Sequence, residues 1–95
     1  MQFVIICHDI PNGFDKRQAA RPAHLDYLKE QDAVVLAAGP FLDDEKRMIG
    51  SLFIVDVADR AAAQAFSDND PFTRQGIFAH REIRRWRWGV KPPKA

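Results

Sequence analysis

A histidine and an aspartate carry the chemistry that this sequence most readily supports. His24 lies three residues after Arg21 and four before Leu28, so on a helix the three share one face. Imidazole exchanges a proton near neutral pH, and a histidine set among apolar neighbours can serve as general acid or base. Helix position alone also fits a plainer arrangement, in which the ring bonds a backbone carbonyl or faces solvent. Asp70 precedes Pro71 and Phe72, and proline stiffens the chain so that the carboxylate is held in a defined loop conformation. A carboxylate fixed beside an imidazole selects its tautomer and stabilises the imidazolium. The plainer role for Asp70 is an Asx-turn, with the side chain capping local amides.

Two other places could line a pocket. In Ala38-Gly39-Pro40 the glycine permits close approach of a ligand, although Gly39-Pro40 also reads as the end of a strand. Gly50-Ser51 opens a later strand with a small residue and a hydroxyl, and a sheet-surface serine fits there equally well. Metal ligation has little to build on. Cys7 and His8 are adjacent, so on a strand they point to opposite faces, and no Cys-x-x-Cys or His-x-x-x-His spacing occurs. Neither a glycine-rich nucleotide loop nor a Gly-x-Ser-x-Gly elbow is present. No metal and no organic cofactor is expected. The stretch from Arg81 to Trp88 is basic with interleaved aromatics, which on a sheet could suit RNA. A net charge of +1 gives no bias toward polyanions, and a strand with solvent-facing arginines accounts for the pattern.

The elements that must position these residues follow from patterning. Residues 2–8 read as a strand whose unbroken apolar run, with Val4, Ile5 and Ile6, suggests burial on both faces. Pro11-Asn12-Gly13 turns the chain. Asp15 is a plausible N-cap for a helix reaching about Gln31, with Ala20, His24, Leu25, Tyr27 and Leu28 on the helical period. Pro22 interrupts it, so the helix either kinks there or begins anew with Pro22 at its first position. Ala33 to Phe41 and Gly50 to Val57 read as strands, with Ser51, Phe53 and Val55 alternating against Leu52, Ile54 and Asp56. Asp59 caps a helix over Arg60 to Phe66, which is broken before Pro71. One helical turn at Phe72 to Gln75 follows, and Ile77 to Trp88 is the last strand. The order β-α-β-β-α-β predicts an α+β, ferredoxin-like fold: a four-stranded antiparallel sheet with two helices on one face.

Composition sets the outer limits. Ninety-five residues allow one domain, with a core at about 2–88 and a loose tail at 89–95. A hydrophobic fraction of 46% and charged fraction of 28% exclude a disordered chain, and no apolar run spans a bilayer. The first residues lack a basic stretch and a cleavage site, so they read as a strand rather than a signal peptide. One cysteine cannot form an internal disulfide, which fits the cytoplasm. Seven phenylalanines and two tryptophans are a heavy aromatic load for so small a domain. A second copy is expected to cover part of it, making a homodimer.

Taken in order, Arg21-x-x-His24-Leu25-x-x-Leu28, Ala38-Gly39-Pro40, Gly50-Ser51, Asp70-Pro71-Phe72, Gly76 and Trp86 resemble the YCII-related (YciI-like) family over about residues 2–88. The resemblance implies a dimeric α/β-barrel, in which two such sheets pack face to face. It implies a His–Asp active site, which maps onto His24 and Asp70, with Arg21 and Ser51 lining the same cleft. One branch of that family is associated with dehydrochlorination of chlorinated hydroxyquinols, and distant relatives include muconolactone isomerases. The expected function is therefore cofactor-independent lyase or isomerase chemistry on a small cyclic or aromatic molecule. Gly39 and Pro40 would join Arg21 and Ser51 in binding the substrate. A non-catalytic binder or regulator on the same scaffold is the alternative, and a nucleic-acid partner ranks below both.

Overall fold

The computed structural model describes residues 1–90, so most of the tail expected at 89–95 lies outside the described residues. The chain runs β1 (Gln2–Asp9), α1 (Phe14–Glu30), β2 (Val35–Leu42), β3 (Met48–Asp56), α2 (Arg60–Asn69), α3 (Pro71–Arg74) and β4 (Phe78–Trp86). The strands form one antiparallel sheet in the order β2-β3-β1-β4. This is the ferredoxin-like arrangement, with a short third helix added between α2 and β4.

Alternation along β1 shows how the sheet is used. Phe3, Ile5 and Cys7 are buried, whereas Gln2, Val4 and Ile6 are only half-buried and His8 is exposed. The apolar run in β1 had suggested burial on both faces. Only one face is closed within the chain, because an antiparallel sheet of this type is covered by helices on one side. The core joins Phe3, Ile5 and Cys7 to Phe53 and Val55 of β3 and to Ala63 and Phe66 of α2. Ser51 continues the inward row of β3, opposite Cys7.

Glycine 50 matters for a different reason. It sits opposite His8, and a Cβ there would lie 2.5 Å from the Cys7 carbonyl oxygen and 3.0 Å from the Phe41 ring. Gly50→Ala is expected to cost about 1–3 kcal/mol through overpacking, read as a lowered Tm in thermal unfolding. An unchanged Tm would mean that the β1–β3 backbone gives way freely.

Several boundaries differ from the sequence reading. Helix α1 is a single element with Pro22 inside it, and its N-cap is Gly13, with Asp15 in the first turn. The Gly13 carbonyl accepts the first helical bond from Arg17 N–H, and Asp15 still favours the helix N-terminus electrostatically. Leu25 is exposed, so the inward stripe is Arg17, Ala20 and His24. Strand β2 does not stop at Gly39-Pro40 but runs to Leu42. It is an edge strand, where the missing proline N–H need cost no ladder bond. Helix α2 begins as read, with the Asp59 carboxylate accepting from Ala62 N–H at 2.8 Å, and continues to Asn69. Strand β4 spans Phe78–Trp86 rather than 77–88.

Cys7 is fully buried, and its thiol is pushed up to about 12, chiefly by burial and next by the negative charge of Asp70. Only the thiolate attacks, so the native protein is expected to ignore Ellman's reagent at pH 8 and to react fully once unfolded. Rapid labelling of the folded protein would show that β1 opens. No helix among the described residues is long and apolar enough to cross a membrane.

Candidate active site

Two helices meet at the histidine. On α1, His24 lies one turn beyond Ala20, on the stripe that packs toward the sheet. Between α2 and α3, Asp70 takes an extended backbone, φ −62° and ψ 130°, as the residue before Pro71 must. Its carboxylate caps α3, with Oδ1 accepting from Phe72 N–H at 2.9 Å. The same Oδ1 lies 2.7 Å from His24 Nδ1, both side chains being buried. The Asx-type cap and the histidine partnership are thus one feature, because the local turn aims the carboxylate that α1 then meets.

An ionised carboxylate only accepts, so this contact puts the proton on Nδ1 and leaves Nε2 with its lone pair. The ring is held on both sides. Phe72 stacks on it with centroids 3.8 Å apart and planes 9° from parallel, and Phe53 meets it edge-on at 5.8 Å. His24 is therefore fixed in position and tautomer before any ligand arrives.

A cavity of about 130 Å³ opens beside the histidine. It is lined by Arg17, Arg21, His24, Leu25 and Leu28 of α1, Ala38, Gly39 and Pro40 of β2, Met48, Ser51 and Phe53 of β3, and Phe72 of α3. Every side chain singled out in the sequence for the site lines this cavity, except Asp70, which stands behind His24. The volume is below the roughly 300–1,000 Å³ of pockets for drug-sized ligands, which limits it to a molecule of about single-ring size. A wider depression of about 680 Å³ lies elsewhere, at Met1, Gln2, Asp56 and the stretch Arg85 to Trp88. Its titratable groups are exposed, the Asp56 carboxylate being paired with the N-terminal amine of Met1 at 2.7 Å.

One part of the site escaped the sequence reading. Arg17 is buried, and its guanidinium spans the site, bonding Asp9 through Nη1 at 2.9 and 3.0 Å and Ser51 Oγ through Nη2 at 2.6 Å. Burial raises the Asp9 carboxyl above its ordinary value, and the charge and hydrogen bonds of Arg17 pull the other way. The guanidinium also lies over the Phe72 ring at 4.5 Å. Arg21, which the sequence placed in the cleft, is exposed at its edge. Arg17 stands three residues before Ala20 and seven before His24, so a cation on the apolar stripe of α1 was the available signal. Asp9 had none, since only the packing of β1 against α1 brings it near.

The model of the YCII-related domain family matches residues 1–87. The chain belongs to the YCII-related family. Within that family, an uncharacterised protein of Haemophilus influenzae is 37% identical over 83% of this chain and 89% of its own length. Protein YciI of Escherichia coli is 30% identical over 88% of this chain and 94% of its own. Among solved structures, the 5-chloro-2-hydroxyhydroquinone dehydrochlorinase TftG of Burkholderia phenoliruptrix, in complex with 2,5-dihydroxybenzoquinone, superposes with a TM-score of 0.86. It is 35% identical, over 94% of this chain and 96% of that one. An antibiotic biosynthesis monooxygenase shares the fold at a TM-score of 0.56 with 20% identity, over 95% of this chain and 100% of that one. This YCII-related chain thus has the fold of that wider group and is similar over nearly its whole length to a dehydrochlorinase.

Proposed function

We propose that this YCII-related protein is a small-molecule enzyme of lyase or isomerase type, in which the His24–Asp70 pair moves a proton on a hydroxylated ring. The observation that carries the reading is the buried 2.7 Å contact between His24 Nδ1 and Asp70 Oδ1, which leaves Nε2 as the basic nitrogen at a ring-sized cavity. In loss of HCl from a chlorinated hydroxyquinol, one hydroxyl proton moves to the chlorine-bearing carbon to give the keto tautomer. His24 then accepts a second hydroxyl proton while chloride departs from that carbon with its bonding electron pair. Oxidation of the hydroxyl carbons to the quinone level is offset by replacement of C–Cl with C–H, so no external oxidant is needed. Asp70 steadies the imidazolium formed, and Arg21, Ser51, Gly39 and Pro40 contact the ring. General acid–base assistance of this kind contributes about 10²–10⁴-fold.

Likeness to TftG makes 5-chloro-2-hydroxyhydroquinone the first substrate to try. Chloride release followed with a chloride electrode, against a no-enzyme control, tests the reading. Turnover by the wild type that is lost in His24→Gln supports it. No acceleration with this compound or with a panel of hydroxyquinols and lactones overturns it.

The working unit is proposed to be a homodimer joined through the uncovered sheet face, where Val4 pairs with Ile54 and Ile6 with Leu52 across β1 and β3. Light scattering on the eluted protein at micromolar concentration should give twice the 10.8 kDa chain mass. A monomer at that concentration rejects the pairing.

A further inference from the structure

Arg17 holds more donors than the fold uses. Guanidinium has five N–H groups. Asp9 and Ser51 take at most three of them, and the buried Nε has no partner. At least one further Nη2 hydrogen is therefore also free. Stability does not explain such a residue, since replacing a buried ion pair with apolar side chains is often neutral or favourable. Nor does the cation–π contact with Phe72, which supplies no oxygen or nitrogen acceptor for the free N–H groups.

The geometry around Ser51 supplies a use. Its Oγ accepts from Arg17 Nη2, so its own hydroxyl hydrogen is available to something else. A hydroxyl that accepts from a cation becomes a stronger donor, because successive hydrogen bonds polarise one another. Ser51 lines the cavity, and no carboxylate does among the described residues. The polar side chains of the wall are therefore Arg17, Ser51 and Arg21, all able to donate, together with the His24 imidazole.

We infer that Arg17 is a positioning residue that holds Ser51 as a donor to a ring oxyanion, so that the cavity selects a hydroxylated ring in its ionised form. The inference rests on the proposed reading that this cavity binds such a ring. It gives the anion contact to the buried Arg17–Ser51 relay and not to Arg21, whose exposed charge is screened by solvent. An ionised hydroxyl at Ser51 would leave a second, neutral ring hydroxyl for His24 Nε2 to deprotonate. The relay would then discriminate against rings lacking an acidic hydroxyl.

The probe is 4-nitrocatechol, whose neutral and anionic forms absorb at different wavelengths. Binding to the wild type is expected to show the anion band at a pH where the free compound is mostly neutral. Ser51→Ala, which keeps the Arg17–Asp9 pair, should weaken anion binding about 10–100-fold. The double variant Arg17→Met with Asp9→Asn should do the same. Arg17→Lys retains a charge beside Asp9 but lacks the planar fork, so it should not restore the band. Probe bound in neutral form, probe not bound at all, or an anion band surviving both Ser51→Ala and the double variant would overturn the inference. His24→Gln separates the two claims. It should keep the anion band while losing chloride release, whereas chloride release that survives it defeats the dyad and leaves the relay standing.

Discussion

Replacing His24 by glutamine is expected to lower the rate of chloride release by about 10²–10⁴-fold, with a much smaller effect on KM. Glutamine can still bond Asp70, but it offers no nitrogen that accepts a proton near neutral pH. Asp70→Asn is expected to cost about as much, by a different route. An asparagine amide can present its N–H₂ to Nδ1, which moves the imidazole proton to Nε2 and abolishes the lone pair facing the cavity. The ¹⁵N shifts of the His24 ring read the tautomer directly. In the wild type Nδ1 should carry the proton, and in Asp70→Asn Nε2 should carry it. A variant that kept both the wild-type tautomer and the wild-type rate would remove Asp70 from the mechanism.

The second large effect concerns stability. Arg17→Met leaves the Asp9 carboxylate buried, at 5% side-chain exposure, without its cation. Breaking a buried pair from one side costs about 3–5 kcal/mol, a large share of the roughly 5–15 kcal/mol that holds a small domain folded. Adding Asp9→Asn to Arg17→Met should return much of this, as double-mutant coupling requires for residues in contact. Equilibrium denaturation of the four proteins measures the coupling, and strictly additive losses would mean that the pair is not formed.

The same carboxyl gives a pH signature. Its folded value is raised, above all by burial, so the folded chain holds this proton more tightly than the unfolded chain does. Its contribution is then fully present below the ordinary Asp value of about 3.9 and is lost as pH rises through the higher folded value. Over that window the wild type should lose stability relative to Asp9→Asn with each step up in pH. A difference that stays flat, or that runs in the opposite direction, would show that Arg17 and not burial governs Asp9.

Much of this architecture was legible in the chain. The alternation of Ser51, Phe53 and Val55 named the inward row of β3. Asp59 announced the start of α2, and Asp70-Pro71 required both the end of α2 and the one-turn helix after it. Local rules decide such features, so local residues reveal them. Pro22 resisted the same treatment, because a helix packed along one face can absorb a missing hydrogen bond that an isolated helix would not.

For the site, the residues by themselves showed that His24 and Asp70 had suitable chemistry and offered Ser51, Gly39 and Pro40 as pocket candidates, with a sheet-surface serine and a strand end fitting the same residues. Their meeting was another matter. His24 and Asp70 are 46 positions apart, and no spacing rule connects a helix face to a turn across that separation. Docking of α1 beside α3 closes the distance to 2.7 Å, and the stacked Phe72 sets the ring's plane. Arg17 shows the same division more sharply. From sequence it is one cation among the fourteen lysines and arginines of the chain. Only the packing of α1 over β1 and β3 takes it out of water and sets it between Asp9 and Ser51, because desolvation and long-range contact are properties of the folded whole.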